Sequence, residues 1–372
     1  MESRQRQQRA LDMLLTALGV LAALVLASRG VVTDVGIYHR YAVGFLTTGG
    51  FPREYPPLAL VPMLLAQALA VLLHTAYARA WLLLSAVVLY ILARAVGRPA
   101  LLLALLPLAS PLLGTYDIWP ILCLVLSYRL LPRRPALSWL LLGLAIALKL
   151  FPLLFVPLWW QQSRRGWGYA LLPLLTFYPP AMASVVHYQF ARQAEWESTV
   201  SLISWLIGAP HLVLRHAFGS VELYSRLSGQ IGLVLDGLYV LLFVWLAFLR
   251  RELPLLRRML LLLSLWFLTN KVLSAQYVFW VVCLAYADGL DLLWFAALAW
   301  ATSLLYPWLS LVTQPLTRLL ALPEAQGTQI LLAMWAVALR LAIWLVILAR
   351  LWLPPRRAAA RRQAQAATGS QL

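Results

Sequence analysis

Apolar segments long enough to cross a bilayer, on the order of 20 residues each, recur from Leu11 to Leu353 and leave little chain for anything else. They are continuously apolar and do not alternate in period two, so the pattern belongs to helices and not to a transmembrane barrel. With 63% hydrophobic and 12% charged residues, the chain is far from the composition of a soluble domain. The sequence predicts an all-α, polytopic membrane protein. The first run, 11–28, has the apolar length of a signal-peptide core. A polar loop and further spans follow it without a persuasive small-residue cleavage site, so it reads as the first transmembrane helix.

The net charge of +17 does not mark a nucleic-acid binder, because the arginines cluster at the ends of apolar runs, as the bias of cytoplasmic loops requires. Arg4, Arg6 and Arg9 precede the first run, and Arg129, Arg133 and Arg134 form a second group. Arg164 with Arg165, then Arg250, Arg251, Arg257 and Arg258, and finally Arg356, Arg357, Arg361 and Arg362 complete the set. With all five groups cytoplasmic, both termini are inside and the number of crossings is even. The two cysteines, Cys123 and Cys283, each lie inside an apolar run and offer neither a disulfide framework nor a metal spacing.

Threading the chain through these constraints gives about twelve crossings of the length a bilayer asks for. The spans expected are 11–29, 57–73, 79–97, 117–131, 136–150, 152–160, 167–186, 230–249, 257–270, 272–288, 292–311 and 329–350. Parity makes 99–113 re-entrant or interfacial. The stretch 136–160 is too short for two full spans and reads as a pair of short helices breaking at Phe151-Pro152, since proline ends a helix at the residue before it. Irregular backbone at membrane depth is tolerated where it is buried in protein or lines a cavity, so that break points to a cavity. The organisation expected is a basic N-terminus (1–10), one transmembrane domain (11–353) with outer loops at 30–56, 187–229 and 312–328, and a disordered cytoplasmic tail (354–372).

Under this topology the polar groups that are not helix-end arginines collect on the outer side. Asp34 and Glu54 occupy the first outer loop, and Tyr116 and Asp117 sit at the outer start of a helix. Lys149 lies at the apex of the short helix pair, and His187, Arg192, Glu195, Glu197 and Ser198 fall in a later loop. Asn270, Lys271, Gln276 and Tyr277 form one more outer turn. Of thirty lysines and arginines only Lys149 and Lys271 are lysine, and both belong to this set. A compact ammonium is a good point-charge partner for phosphate, although charges near helix ends often simply snorkel. Arg340, well inside the last apolar run, calls for a buried polar partner.

The stretches "EYPPL" after Asp34 and Tyr38, "YDIWP", "GLAIALKLFPLLFVPL", "RQAEWES" and "KVLSAQYVFW", in that order, resemble glycosyltransferase family 87 from about residue 30 to residue 285. That family comprises integral-membrane GT-C fold enzymes using polyprenyl-phosphate-linked mannose. The family commonly has Gly-Leu-Gln after the outer-loop arginine and Pro before the late Gln-Tyr. This chain has Gln193-Ala194-Glu195 and Ala275 there. The resemblance implies Asp34 as catalytic base, inversion at the anomeric carbon, a lipid-linked and not a nucleotide-sugar donor, and an active site on the outer face of the plasma membrane.

The chemistry fits the residues. A lipid phosphate is a good leaving group, so transfer needs a carboxylate to take the acceptor proton and cations to hold the phosphate. One base with a directly attacking acceptor gives inversion, whereas a covalent route needs a second carboxylate. Glu54 is the rival base, or a structural partner of Arg53. Lys149, Arg192, Lys271 and His187 are the candidates for the phosphate. Tyr38, Tyr55, Tyr116, Asp117, Glu197, Gln276 and Tyr277 are the candidates for sugar or acceptor, with Trp119 and Trp280 as further stacking faces. No metal or cofactor is expected. The rival classes are a GT-C enzyme for another lipid-linked sugar, such as arabinofuranose or glucose, and a non-enzymatic polyprenyl-lipid transporter. A transporter favours ionisable groups near the midplane and inverted repeats, and no repeat is visible.

Overall fold

Proline and glycine set several helix ends among the described residues. The computed structural model describes residues 2–29, 33–207, 213–217, 220–224, 226–290, 292–305 and 325–352. α1 (Glu2–Arg29) leads to α2 (Thr33–Thr48), then a 3₁₀ turn at Pro57–Ala59 runs straight into α3 (Leu60–Leu72). α4 (Tyr77–Val96) stops at Gly97, whose φ of 74° is the left-handed conformation that caps a helix at little steric cost. α5 (Ala100–Leu105) and α6 (Ala109–Gly114) precede α7 (Ile118–Leu130), and the chain bends by 120° between Gly114 and Ile118. α8 (Pro135–Leu148) begins with proline in its first turn, where the missing N–H is not needed.

A 3₁₀ segment, Phe151–Phe155, connects α8 to α9 (Val156–Gln162). A further 3₁₀ turn, Trp167–Ala170, continues into α10 (Leu171–Leu174), and α11 (Pro179–Ala191) follows after a 90° bend. β1 (Ala194–Glu195), α12 (Thr199–Leu206), β2 (Val213–Ala217) and β3 (Ser220–Tyr224) come next. α13 (Arg226–Val244), α14 (Leu255–Thr269), α15 (Tyr277–Asp288), α16 (Leu292–Ser303) and α17 (Ala325–Trp352) complete the described chain.

The protein is helical with the apolar character of a membrane protein. Among the described residues four helices are long and apolar enough to cross a bilayer: Ala10–Ser28, Tyr77–Val96, Leu227–Leu249 and Met334–Trp352. The two bent pairs, Ala100–Leu130 and Trp167–Ala191, raise that to six when each counts as one span. Pro57–Leu72, Pro135–Leu148, Tyr277–Ala287 and Leu292–Ser303 are apolar but shorter. Leu14, Leu18 and Leu21 on α1 and Leu233, Val234 and Leu241 on α13 are exposed, as side chains facing lipid are.

Several expectations need correction. The stretch 30–56 is not a plain loop, because 33–48 form α2. The stretch 187–229 holds the end of α11, α12 and a small antiparallel sheet in the order β1-β3-β2, a minor addition to an otherwise all-helical chain. The helix break near 151 falls earlier, at Lys149, which has extended backbone. The tail 354–372 and most of the loop 312–328 lie outside the described residues.

Two buried contacts fix the frame. Between α7 and α8, Ser127 and Ser138 exchange hydroxyl-to-carbonyl hydrogen bonds of 2.7 and 2.8 Å, and the Trp159 indole donates to the Ser138 hydroxyl at 2.8 Å. At the end of α7, Arg129 donates to the carbonyls of Val96 (2.6 Å) and Ala287 (2.8 Å), so one guanidinium ties the C-termini of α4 and α15 together. α4, α7 and α15 therefore end on one side, and the starts of α7 and α15 lie on the other with the end of α8. At Gly143 on α8, a Cβ would overlap the Ala170 carbonyl oxygen, which is backbone and cannot swing aside. Gly143→Ala is expected to lower stability by about 1–3 kcal/mol through overpacking, read as a drop in detergent-solubilised thermal unfolding. Gly168→Ala, where a Cβ meets nothing within 4 Å, is the control with little change.

Candidate functional site

The polar groups singled out in the sequence meet at the end of the bundle where α7 and α15 begin. Asp34 stands in the first turn of α2, and one turn on the Tyr38 hydroxyl donates to its Oδ2 at 3.3 Å. The same hydroxyl accepts from the backbone N–H of Tyr116 at 3.3 Å, linking α2 to the bend before α7. The Tyr38 ring lies 4.6 Å from Trp81, 6.0 Å from Tyr55 and 6.1 Å from Tyr116, measured between centroids. These rings form a buried aromatic wall behind Asp34.

Asp117 is 1% exposed at the start of α7. Its Oδ1 accepts from Lys149 Nζ at 2.6 Å and from the Trp280 indole at 2.8 Å. Lys149 ends α8, and its ammonium also lies 4.6 Å from the Tyr277 ring and 5.4 Å from that of Tyr116. The helix break that exposes the Lys149 side chain to this space also leaves the Leu148 carbonyl to the Tyr116 hydroxyl, which donates to it at 3.2 Å.

Glu54 sits between α2 and α3 in a cage of tyrosine hydroxyls from Tyr188, Tyr41 and Tyr55, with Arg192 in its field. Burial pushes its carboxyl above the ordinary value of 4.5, and the hydroxyls and Arg192 pull against that. The amide of Gln189 donates to its backbone carbonyl at 3.4 Å.

Behind the cage, Arg192 is buried and ion-paired with Glu195, itself 3% exposed. The Ser274 hydroxyl lies 2.9 and 3.0 Å from the two Glu195 carboxylate oxygens, and Ser201 donates to the Glu195 carbonyl at 2.7 Å. Lys271 donates to the carbonyls of Phe190 (3.2 Å) and Arg192, while its own carbonyl accepts from Glu195 N–H at 2.8 Å. Glu197 takes Arg340 of α17, at 3.3 Å through the carboxylate and again through its backbone carbonyl. That pair supplies the polar partner expected for Arg340 and moors the segment between β1 and α12 to the last helix.

Asp34, Glu54, Tyr38, Tyr55, Tyr116, Asp117, Lys149, Arg192, Lys271 and Tyr277 are thus joined in one network. Lys149 lies in the fields of Asp34 and Arg192 as well as Asp117, and Tyr277 in those of Glu195, Arg192 and Asp34. Glu197 stands at its edge with Arg340. His187 is exposed on α11 and its side chain makes no hydrogen bond or ion pair among the described residues, so the network does not use it. Gln276 is half-buried at the start of α15. Tyr41, Tyr188 and Ser274 belong to the site without having been singled out. Tyr41 stands three residues after Tyr38 and Tyr188 directly after His187, while Ser274 lies within the quoted stretch "KVLSAQYVFW".

No family model, curated protein or solved structure matches the chain. The likeness to glycosyltransferase family 87 rests on the sequence stretches named above.

Glu54 gives the site a pH signature. Its folded pKa lies above the ordinary 4.5, so the folded protein holds the proton more tightly than the unfolded chain does. This contribution to stability is complete below the unfolded value and is lost as pH rises through the folded one. Thermal unfolding of the wild type in detergent, scanned upward from about pH 4.5, is expected to show this loss, and Glu54→Gln to flatten it. An identical slope in the variant would show that Glu54 is not the group responsible.

Proposed function

We propose that this protein is an integral-membrane inverting glycosyltransferase of the GT-C type, moving a sugar, mannose by resemblance, from a polyprenyl-phosphate carrier to a glycolipid or glycan acceptor. The observation that supports the reading best is the convergence of Asp34 and three cations, Lys149, Arg192 and Lys271, from separate segments onto one end of a helical bundle. On this reading the bundle has about twelve crossings with short and re-entrant helices. Both termini are cytoplasmic and the site opens on the outer face of the plasma membrane.

Asp34 takes the proton of the acceptor hydroxyl as its oxygen bonds to the anomeric carbon from the face opposite the phosphate. The bond from that carbon to the phosphate oxygen breaks, and the lipid phosphate leaves with the electron pair. One bond forms, one breaks, one proton moves, and the sugar inverts. Tyr38, hydrogen-bonded to Asp34, holds the carboxylate in one orientation. Arg192 and Lys149 meet the growing negative charge on the leaving phosphate. A guanidinium has five N–H donors, so the ion pair with Glu195 orients Arg192 without exhausting it. The tyrosines supply hydroxyls and ring faces for the sugar.

The test is transfer of labelled mannose from polyprenyl-phosphate-mannose to a crude lipid acceptor in membranes. Asp34→Asn in a normally inserted protein is expected to lose roughly 10²–10⁴-fold in rate, the usual worth of a general base. An unaffected Asp34→Asn with an inactive Glu54→Gln would move the base to Glu54. No transfer by folded wild-type protein from this donor or from its glucose and arabinofuranose counterparts would overturn the reading.

A further inference from the structure

The end of the bundle opposite the network holds buried positive charge without a counter-ion. Arg257 and Arg258 lie in the first turn of α14 and are 9% and 1% exposed. The inside bias of basic residues accounts for arginines near this end, but not for burying them. A buried charge is ordinarily paired. Arg258 forms no ion pair among the described residues. Its Nη1 donates to the Gln161 side-chain oxygen at 2.7 Å, and its Nε is buried without an acceptor. The charged groups acting on it are Arg251 and Glu252, and Glu252 is already ion-paired with Arg250.

The same turn attracts an anion by its backbone. The first N–H groups of a helix have no partner within it, and the helix dipole is positive there. Here the N-cap is Pro254, which has no side-chain acceptor to offer them, and the turn holds no acidic residue. Side chains on a helix lean toward its N-terminus, so Arg257 and Arg258 add charge where the dipole already disfavours cations. Free N–H groups, two guanidiniums and an unused Nε thus gather at one helix start, and an anion answers all three.

The level is that of lipid headgroups. Trp245 and Trp352 stack at 4.7 Å with the Arg250 guanidinium 5.2 and 4.9 Å from their rings, an arrangement suited to the membrane–water interface. The apolar span Leu227–Leu249 ends just before, and Arg258 stands only about 5 Å along the axis from the start of α14. The headgroup layer on each side of the hydrocarbon is about that deep. Arg251 donates to the Phe248 carbonyl at 2.9 Å, which sets the arginines beside Phe248 and Leu249, exposed apolar side chains suited to acyl chains. We propose that the start of α14 is a binding site for an anionic phospholipid, its phosphate held by Arg258, Arg251 and the helix N-terminus. A zwitterionic headgroup would bring a further cation to a place that already has an excess, so net negative charge selects the lipid. The inference stands apart from glycosyl transfer and its test involves no turnover.

The full-length protein in nanodiscs of equal parts phosphatidylglycerol, phosphatidylethanolamine and phosphatidylcholine would be released into native mass spectrometry and its retained lipids counted. Phosphatidylglycerol is expected in roughly five-fold or greater excess over either other lipid, the effect of one arginine near a membrane surface. Arg258→Met removes a buried charge and keeps a good helix former, so it should abolish the excess while thermal stability in detergent holds or rises. Pro254→Asp, at an exposed position, supplies a carboxylate at the N-cap from the chain itself and should abolish the excess by competition. Should one variant fail to fold, the other carries the test. In detergent, added phosphatidylglycerol is expected to raise the unfolding temperature of the wild type, and inorganic phosphate at equal concentration to leave it unchanged. Equal retention of the three lipids, an excess unchanged in a folded variant, or equal stabilisation by inorganic phosphate would overturn the proposal.

Discussion

The ion pair between Asp117 and Lys149 is the contact on which the rest of the site depends. It joins the start of α7 to the end of α8 at 2.6 Å, and the Trp280 indole brings in α15 through the same carboxylate oxygen. Burying two charges is expensive, and a well-packed apolar pair would serve stability as well or better. Breaking it by removing one partner is another matter, since the remaining charge is stranded. The pair is therefore a poor explanation of stability and a good sign that this end of the bundle must carry charge. Its geometry also requires the extended backbone at Lys149, because a continuing helix would turn the ammonium away from Asp117.

Around that pair the same device recurs with different residues. Arg192 is held by Glu195, which Ser274 holds in turn, and Glu197 is held by Arg340 from the last helix. Glu54 is surrounded by tyrosine hydroxyls. Each charged group arrives with partners that fix its rotamer, so the constellation is preorganised. The arrangement ties segments far apart in the chain: α2, the bend before α7, the end of α8, the β1 region and the turn into α15. A network of this kind couples its members, so substitutions within it are not expected to add independently.

The membrane class was legible because hydrocarbon dictates composition over long stretches. The polar residues of the site were legible for the converse reason: in so apolar a chain, Asp34, Glu54, Asp117, Lys149 and Lys271 stand out singly. The requirement that Arg340 find a partner could also be read, but the partner could not, since Glu197 is far away in sequence. α2 was missed because Thr33–Thr48 carries Asp34, His39 and Arg40 together with glycines and threonines, a turn-like composition. Its helix depends on packing Val35, Tyr38 and Ala42 against α3. β1 was missed because a two-residue strand has no periodicity to detect. The break falls at Lys149, two residues before the Phe151 that the rule for residues preceding proline marks, because the Pro152 ring also crowds the carbonyl four residues back, that of Leu148.

The central claim is that the cations gathered at this end hold a lipid-linked phosphate while Asp34 faces the sugar. The most direct measurement is a structure of the full chain determined with a non-hydrolysable polyprenyl-phosphate-sugar analogue. The account predicts the phosphate within hydrogen-bond distance of Arg192 and Lys149, roughly 3 Å, with the anomeric carbon on the Asp34 side. A phosphate bound away from both cations, with the network unchanged around an empty centre, would contradict it.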